Sequence, residues 1–66
     1  MITHKGHRLE FVRRGYGHGV VYTWVSVVVG DRLVSLGDPW PRRFPPMAEV
    51  RTAADKALAR HAAESV

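Results

Sequence analysis

Polar and apolar residues alternate from His7 to Arg14. Leu9 and Phe11 fall on one side of an extended chain and Arg8, Glu10 and Val12 on the other, which predicts a first strand over 7–14. Residues 20–29 are dense in Val, Tyr, Thr and Trp, side chains that crowd a helix and pack well on a pleated surface, so this stretch is the predicted central strand. Gly30-Asp31 is a two-residue turn signal, and 32–37 returns as a third strand. Pairing about that turn sets Val29 opposite Arg32, Val28 opposite Leu33, Val27 opposite Val34, Ser26 opposite Ser35 and Val25 opposite Leu36. One face then carries Val25, Val27, Val34 and Leu36. The other carries Tyr22, Trp24, Ser26, Val28, Leu33 and Ser35.

The period changes after residue 46. Met47, Val50, Ala54, Ala57, Leu58 and His61 recur at helical spacing, with Glu49, Arg51, Asp55, Lys56 and Arg60 outside the stripe, which predicts a helix over 47–64. Ala53, Ala54, Ala57, Ala59 and Ala62 keep its middle turns slim enough to lie close on a sheet. Pro46 suits a helix start, where a missing N–H leaves no gap. Between third strand and helix, 38–46 holds four prolines and reads as a stiff connector that cannot continue a strand. The glycines of 15–19 alternate with Tyr16 and His18 and precede β-branched residues rather than a helix, so they predict a mobile connection and not a phosphate loop. The expected architecture is α+β: a three-stranded antiparallel meander with one C-terminal helix across its aliphatic face (β-β-β-α).

Sixty-six residues, 45% apolar and 24% charged, suffice for one small domain over 1–66 and one core. With no cysteine there is neither a disulfide nor a thiolate metal site. The start has no apolar export segment, and ten residues from Val20 to Val29 fall far short of the roughly 20 that span a bilayer, so no membrane association is expected and the cytosol fits best.

The net charge of +4 is unevenly placed. Residues 1–43 hold Lys5, Arg8, Arg13, Arg14, Arg32, Arg42 and Arg43 against Glu10, Asp31 and Asp38, whereas the charges of 44–66 cancel. This asymmetry favours a polyanion partner, with a merely solubilising surface as the alternative. Arg42 and Arg43 precede the helix, whose N-terminal amides attract anions. Tyr22 and Trp24 lie on the face the single helix cannot cover, and Trp40 stands between two prolines; all three are candidates for stacking or for an interface.

Catalysis is not expected. Ser26 and Ser35 sit mid-strand, Ser65 is near the C-terminus, and none lies in a nucleophile elbow. One sheet and one helix seldom enclose a pocket, so no small-molecule substrate is expected. His4 and His7 are three apart but have no third ligand nearby and read as solvated; no metal or cofactor is expected. His61 reads as a partly buried packing residue.

The hairpin from Trp24 to Gly37 followed by the run from Ala53 to Leu58 (AADKAL) resembles the back half of a double-stranded-RNA-binding domain. Met47 and Val50 stand where that family carries phosphate-gripping lysines, with Arg42 and Arg43 as approximate substitutes. The three strands, with Trp24 and Arg32, are more weakly similar to the sheet DNA-binding domains of plant ethylene-response factors and phage integrase arms, although the face of Ser26 and Ser35 lacks their base-reading arginines. Nearly the whole chain, with its basic start His4-Lys5-Gly6-His7 where those domains carry an aromatic, its central strand bearing Trp24 and its Ala-rich terminal helix, also resembles small uncharacterised bacterial β-β-β-α domains, which bring no established activity. The sequence thus leads to the expectation of a small basic module that engages RNA or DNA through phosphates with little sequence specificity. The alternative is a protein-interaction or homodimerisation module built on Tyr22, Trp24, Val28 and Leu33.

Overall fold

The β-rich segments pair in chain order. In a computed structural model describing residues 1–64, β1 (Thr3–His4), β2 (His7–Gly15), β3 (Val21–Val29) and β4 (Arg32–Ser35) form an antiparallel sheet of order β1-β2-β3-β4, followed by α1 (Met47–Glu64). Ser65 lies outside the described residues. The α+β class and the helix limits agree with the sequence pattern, and the β3–β4 register is the one set by a Gly30-Asp31 turn, from Val29↔Arg32 to Ser26↔Ser35.

Four strands stand where three were expected. Lys5 and Gly6 both adopt a left-handed φ, +51° and +82°, as a two-residue type I′ turn requires, and fold Thr3–His4 back onto β2. Lysine is an unusual residue at the first of these positions, so the turn carries no composition signal. The other differences are of length. The first strand runs one residue further than expected, the central strand starts one later, and β4 ends at Ser35 although Leu36 N–H still reaches the carbonyl of Val25. The connector also contributes a bridge: Trp40 and Thr23 exchange both main-chain hydrogen bonds at 2.9 Å.

The β2–β3 register pairs Leu9 with Val27, Phe11 with Val25 and Arg13 with Thr23, so these residues share one face and α1 lies on it. Leu9, Val25 and Val27 are buried there against Val50, Ala54 and Ala57 of the helix, with Phe11, Val29, Val34, Leu36, Trp40, Met47 and Leu58 around them. Alanines at the contact let the helix axis approach the sheet, and the β-branched valines fill the layer between. The helix starts where Pro46 presents its carbonyl to the amide of Val50 at 3.1 Å, with Glu49 in the favourable first turn. A core of this size supplies only about 3–5 kcal/mol, so each fastening around it matters.

Two fastenings are polar. Thr23 is fully buried, and its hydroxyl donates to the carbonyls of Arg42 and Arg43 at 2.7 and 3.1 Å, holding the connector over the end of the sheet. His4, expected to be solvated, is 9% exposed and lies between β1 and the helix. No helix among the described residues is long and apolar enough to cross a membrane.

Candidate functional site

Strand alternation places Arg8, Glu10, Val12 and Arg14 of β2, Tyr22, Trp24, Ser26 and Val28 of β3, and Leu33 and Ser35 of β4 on the face away from the helix. Nothing among the described residues covers that face as a second layer. Leu33 is 65% and Val12 52% exposed.

One end of this face is aromatic. Gly17, His18 and Gly19 all take left-handed φ values, +82°, +53° and +76°, and turn the chain tightly enough for Tyr16 N–H to reach the carbonyl of Val20 at 2.9 Å. A defined turn therefore replaces the loose connection expected from the glycines, and it delivers a third ring. Tyr16 meets Tyr22 edge-on at 5.3 Å between centroids and lies 6.4 Å from Trp24, while Tyr22 and Trp24 are 6.3 Å apart and tilted by 45°. These spacings fall in the range of favourable aromatic pairs. Two shallow hollows border the rings, one of about 310 Å³ lined by Val12, Arg14, Tyr16 and Trp24, and one of about 230 Å³ lined by Tyr16, Tyr22, Trp24 and Pro39. Sequence reasoning passed over Tyr16 and Val12; the alternating glycines around Tyr16 were the available signal.

The seven cations of the basic segment are not equivalent. Lys5 Nζ lies 2.8 Å from Asp55 Oδ1, and Arg8 Nε 2.8 Å from Glu10 Oε1. Arg13 donates from Nε to the carbonyl of Arg43 at 2.7 Å, and its guanidinium sits 5.8 Å from the ring centre of Phe11 and 5.3 Å from that of Phe44. Arg14, Arg32, Arg42 and Arg43 have no carboxylate partner among the described residues. Arg14 is the one brought to the aromatic corner. Arg13, Arg42 and Arg43 gather at the connector on the helix side. Arg32 opens β4 opposite Val29, about 24 Å along β3 from Tyr22 and so remote from the aromatic corner.

Trp40 packs against the core as the bridge partner of Thr23, and its indole N–H reaches Glu49 Oε1 at 3.3 Å. It borders a wider groove, with Leu36, Ala48, Thr52 and Ala53, between the helix and the β4 end of the sheet. Ser26 and Ser35 are register partners in mid-sheet. No group of three or more His, Asp or Glu among the described residues is placed to hold a metal ion. The one resolved titration shift is at Asp55, whose carboxyl is held below its ordinary range by the hydrogen bond from Lys5 first and that from His4 second. No family model, no curated protein and no solved structure matches the chain.

Proposed function

We propose that this protein is a small cytosolic module that binds unpaired nucleic acid across the aromatic end of its open sheet face, with little sequence preference. The observation that carries the reading is the grouping of Tyr16, Tyr22 and Trp24 around Arg14, an arginine with no carboxylate partner. Every base has a π-face, so a corner of tilted rings, Tyr16 exposed and Tyr22 and Trp24 partly exposed, accepts unstacked bases whatever their identity, and an adjacent guanidinium supplies the phosphate contact. Duplex RNA or DNA offers no unstacked base to such a corner. This favours single strands over the duplex ligands suggested by a double-stranded-RNA-binding resemblance. Arg42 and Arg43, exposed in the connector on the helix side, add to the positive potential around that end of the sheet without lining the aromatic corner.

The test is a titration with an oligothymidylate, its RNA counterpart and a duplex of equal length, read by tryptophan fluorescence at about 50 mM and 200 mM salt. Single strands should bind and quench, and Trp24→Leu should remove most of the quenching. With at most the five arginines Arg13, Arg14, Arg32, Arg42 and Arg43 in contact, none of which has a carboxylate partner among the described residues, the logarithmic salt slope should be no steeper than about −3.5. Absence of binding at the lower salt overturns the proposal. Sedimentation of the same samples decides the alternative, since association through Tyr22, Trp24, Val28 and Leu33 would give a dimer insensitive to salt.

A further inference from the structure

The outer edge of β2 is paired for only part of its length. Antiparallel strands point the main-chain groups of alternate residues to opposite sides. Thr23 spends both its N–H and its C=O on Trp40, on the β4 side. Its neighbours Tyr22 and Trp24 therefore bond toward β2, to their register partners Arg14 and Val12. Leu9, Phe11, Arg13 and Gly15 consequently turn their main-chain groups outward, and the bond from Leu9 N–H to the carbonyl of Ile2 at 2.9 Å is the one that β1 supplies on that side. Beyond Leu9 no hydrogen bond among the described residues uses the outward N–H and C=O of Phe11 or Arg13.

We infer that this open edge, Phe11 to Gly15, accepts an extended acidic peptide as an added strand. The open main chain supplies register and the arginines supply the sign of the partner. The Arg13 guanidinium lies over the rings of Phe11 and Phe44, 5.8 and 5.3 Å from their centres, and its Nε is committed to the carbonyl of Arg43, which leaves its outer nitrogens as a positioned fork for a carboxylate on the helix-side face of the incoming strand. On the opposite face the same strand meets Val12, 52% exposed, and Arg14, which calls for an apolar residue followed by a second acid. A second copy of this chain is the wrong occupant. Antiparallel self-pairing about Arg13 would set the two copies of Arg13 directly opposite each other, and opposed like charges destabilise such pairs; self-pairing about Val12 would set Arg14 against a Glu10 already held by Arg8, and protection that grows with protein concentration would report it. The inference does not rest on nucleic-acid binding.

The experiment uses the whole isotope-labelled protein and a blocked Glu/Val octapeptide with the central run Glu-Glu-Val-Glu-Glu, which can set Val against Val12 and Glu against both Arg13 and Arg14, with a Lys/Val peptide of the same pattern and a proline-interrupted Glu/Val peptide as controls. Millimolar Glu/Val peptide should slow amide exchange at Phe11 and Arg13 about tenfold and shift the resonances of 11–15, leaving Leu33 and Ser35 of β4 unmoved. Both controls should be inert. Arg13→Glu should abolish the effect; should that variant fail to fold, Arg14→Glu serves instead, and Trp24→Leu should bind as the parent does. Unchanged exchange at Phe11 and Arg13, an equal response to the Lys/Val peptide, or protection that grows with protein concentration alone overturns the inference.

Discussion

His4 Nε2 donates a hydrogen bond to Asp55 Oδ1 across 2.7 Å, joining residues 51 positions apart in the chain. The tautomer follows from the other ring nitrogen. Arg51 Nη1 can only donate and lies 3.1 Å from Nδ1, so Nδ1 is the bare acceptor and the proton sits on Nε2. Arg51 also donates to the carbonyl of Thr3 at 3.0 Å, so one turn of the helix clamps the whole of β1. Replacing His4 by alanine removes this clamp and uncovers a buried site, which should cost about 1–3 kcal/mol. In a domain of this size that is a large part of the total. Urea unfolding checks it, and an unchanged midpoint would show that β1 is ornamental.

The same contact gives a pH dependence of defined sign. The Asp55 carboxyl is held below its ordinary range by Lys5 and then by His4, so its folded value is depressed relative to the unfolded chain. A depressed carboxylate stabilises fully above the unfolded value, near 4, and its contribution disappears as pH falls through the lower folded value. Stability measured from pH 5 down to 2 should therefore fall more steeply for the parent than for Asp55→Asn. A carboxyl titration followed by NMR should move upward in Lys5→Gln. The side chain is half-exposed, so added salt should shrink both effects.

The period of the hydrophobic pattern carried most of the fold. Val25, Val27 and Val34 on one parity and Val50, Ala54 and Ala57 at helical spacing had one way to bury each other, and the turn at Gly30 fixed the register without any tertiary information. What stayed hidden depends on single contacts between remote residues. His4 finds Asp55, Thr23 finds two carbonyls of the connector, and Trp40 bridges back to β3; no local pattern announces any of them. The candidate site was legible in part for the same reason. Parity placed Trp24 and Tyr22 on the uncovered face. Composition counted seven lysines and arginines in residues 1–43, whereas pairing of Lys5 with Asp55 and of Arg8 with Glu10, and the docking of Arg13 on Arg43, emerge only when the chain is folded.

Gly30 offers a test of the turn that sets this register. Its φ of +62° at the first central position, with Asp31 outside the left-handed region, is the type II′ arrangement. A Cβ built there meets no atom within 4 Å, so a substitution acts through backbone strain alone. Gly30→Ala should cost about 1–2 kcal/mol, and Gly30→Asn less. Gly15 is the internal control: its φ is not left-handed and its Cβ would make only an ordinary 3.9 Å contact with the carbonyl of Val20. Gly15→Ala should be neutral or stabilising by up to about 1 kcal/mol. Equal losses at the two positions in thermal unfolding would contradict this account.

Charge pairing on the open face makes an opposite prediction for two residues of one strand. Arg14 is unpaired beside the rings, whereas Arg8, six positions earlier on the same face, is held by Glu10. If nucleic acid lies across this face, Arg14→Ala should weaken binding and reduce the logarithmic salt slope by about 0.7, the share of one phosphate contact on a single strand. Glu10→Gln should do the reverse. It releases Arg8 as a further phosphate ligand, so affinity at low salt should rise and the slope steepen by a similar amount. Neither substitution touches the core, since Arg14 is exposed and Glu10 half-buried with its carboxylate in a surface ion pair that contributes at most about 1 kcal/mol. Paired titrations across salt concentrations measure both slopes. Identical slopes in the parent and both variants would mean that bound phosphates lie elsewhere, and the arginines of the connector would then be the groups to replace.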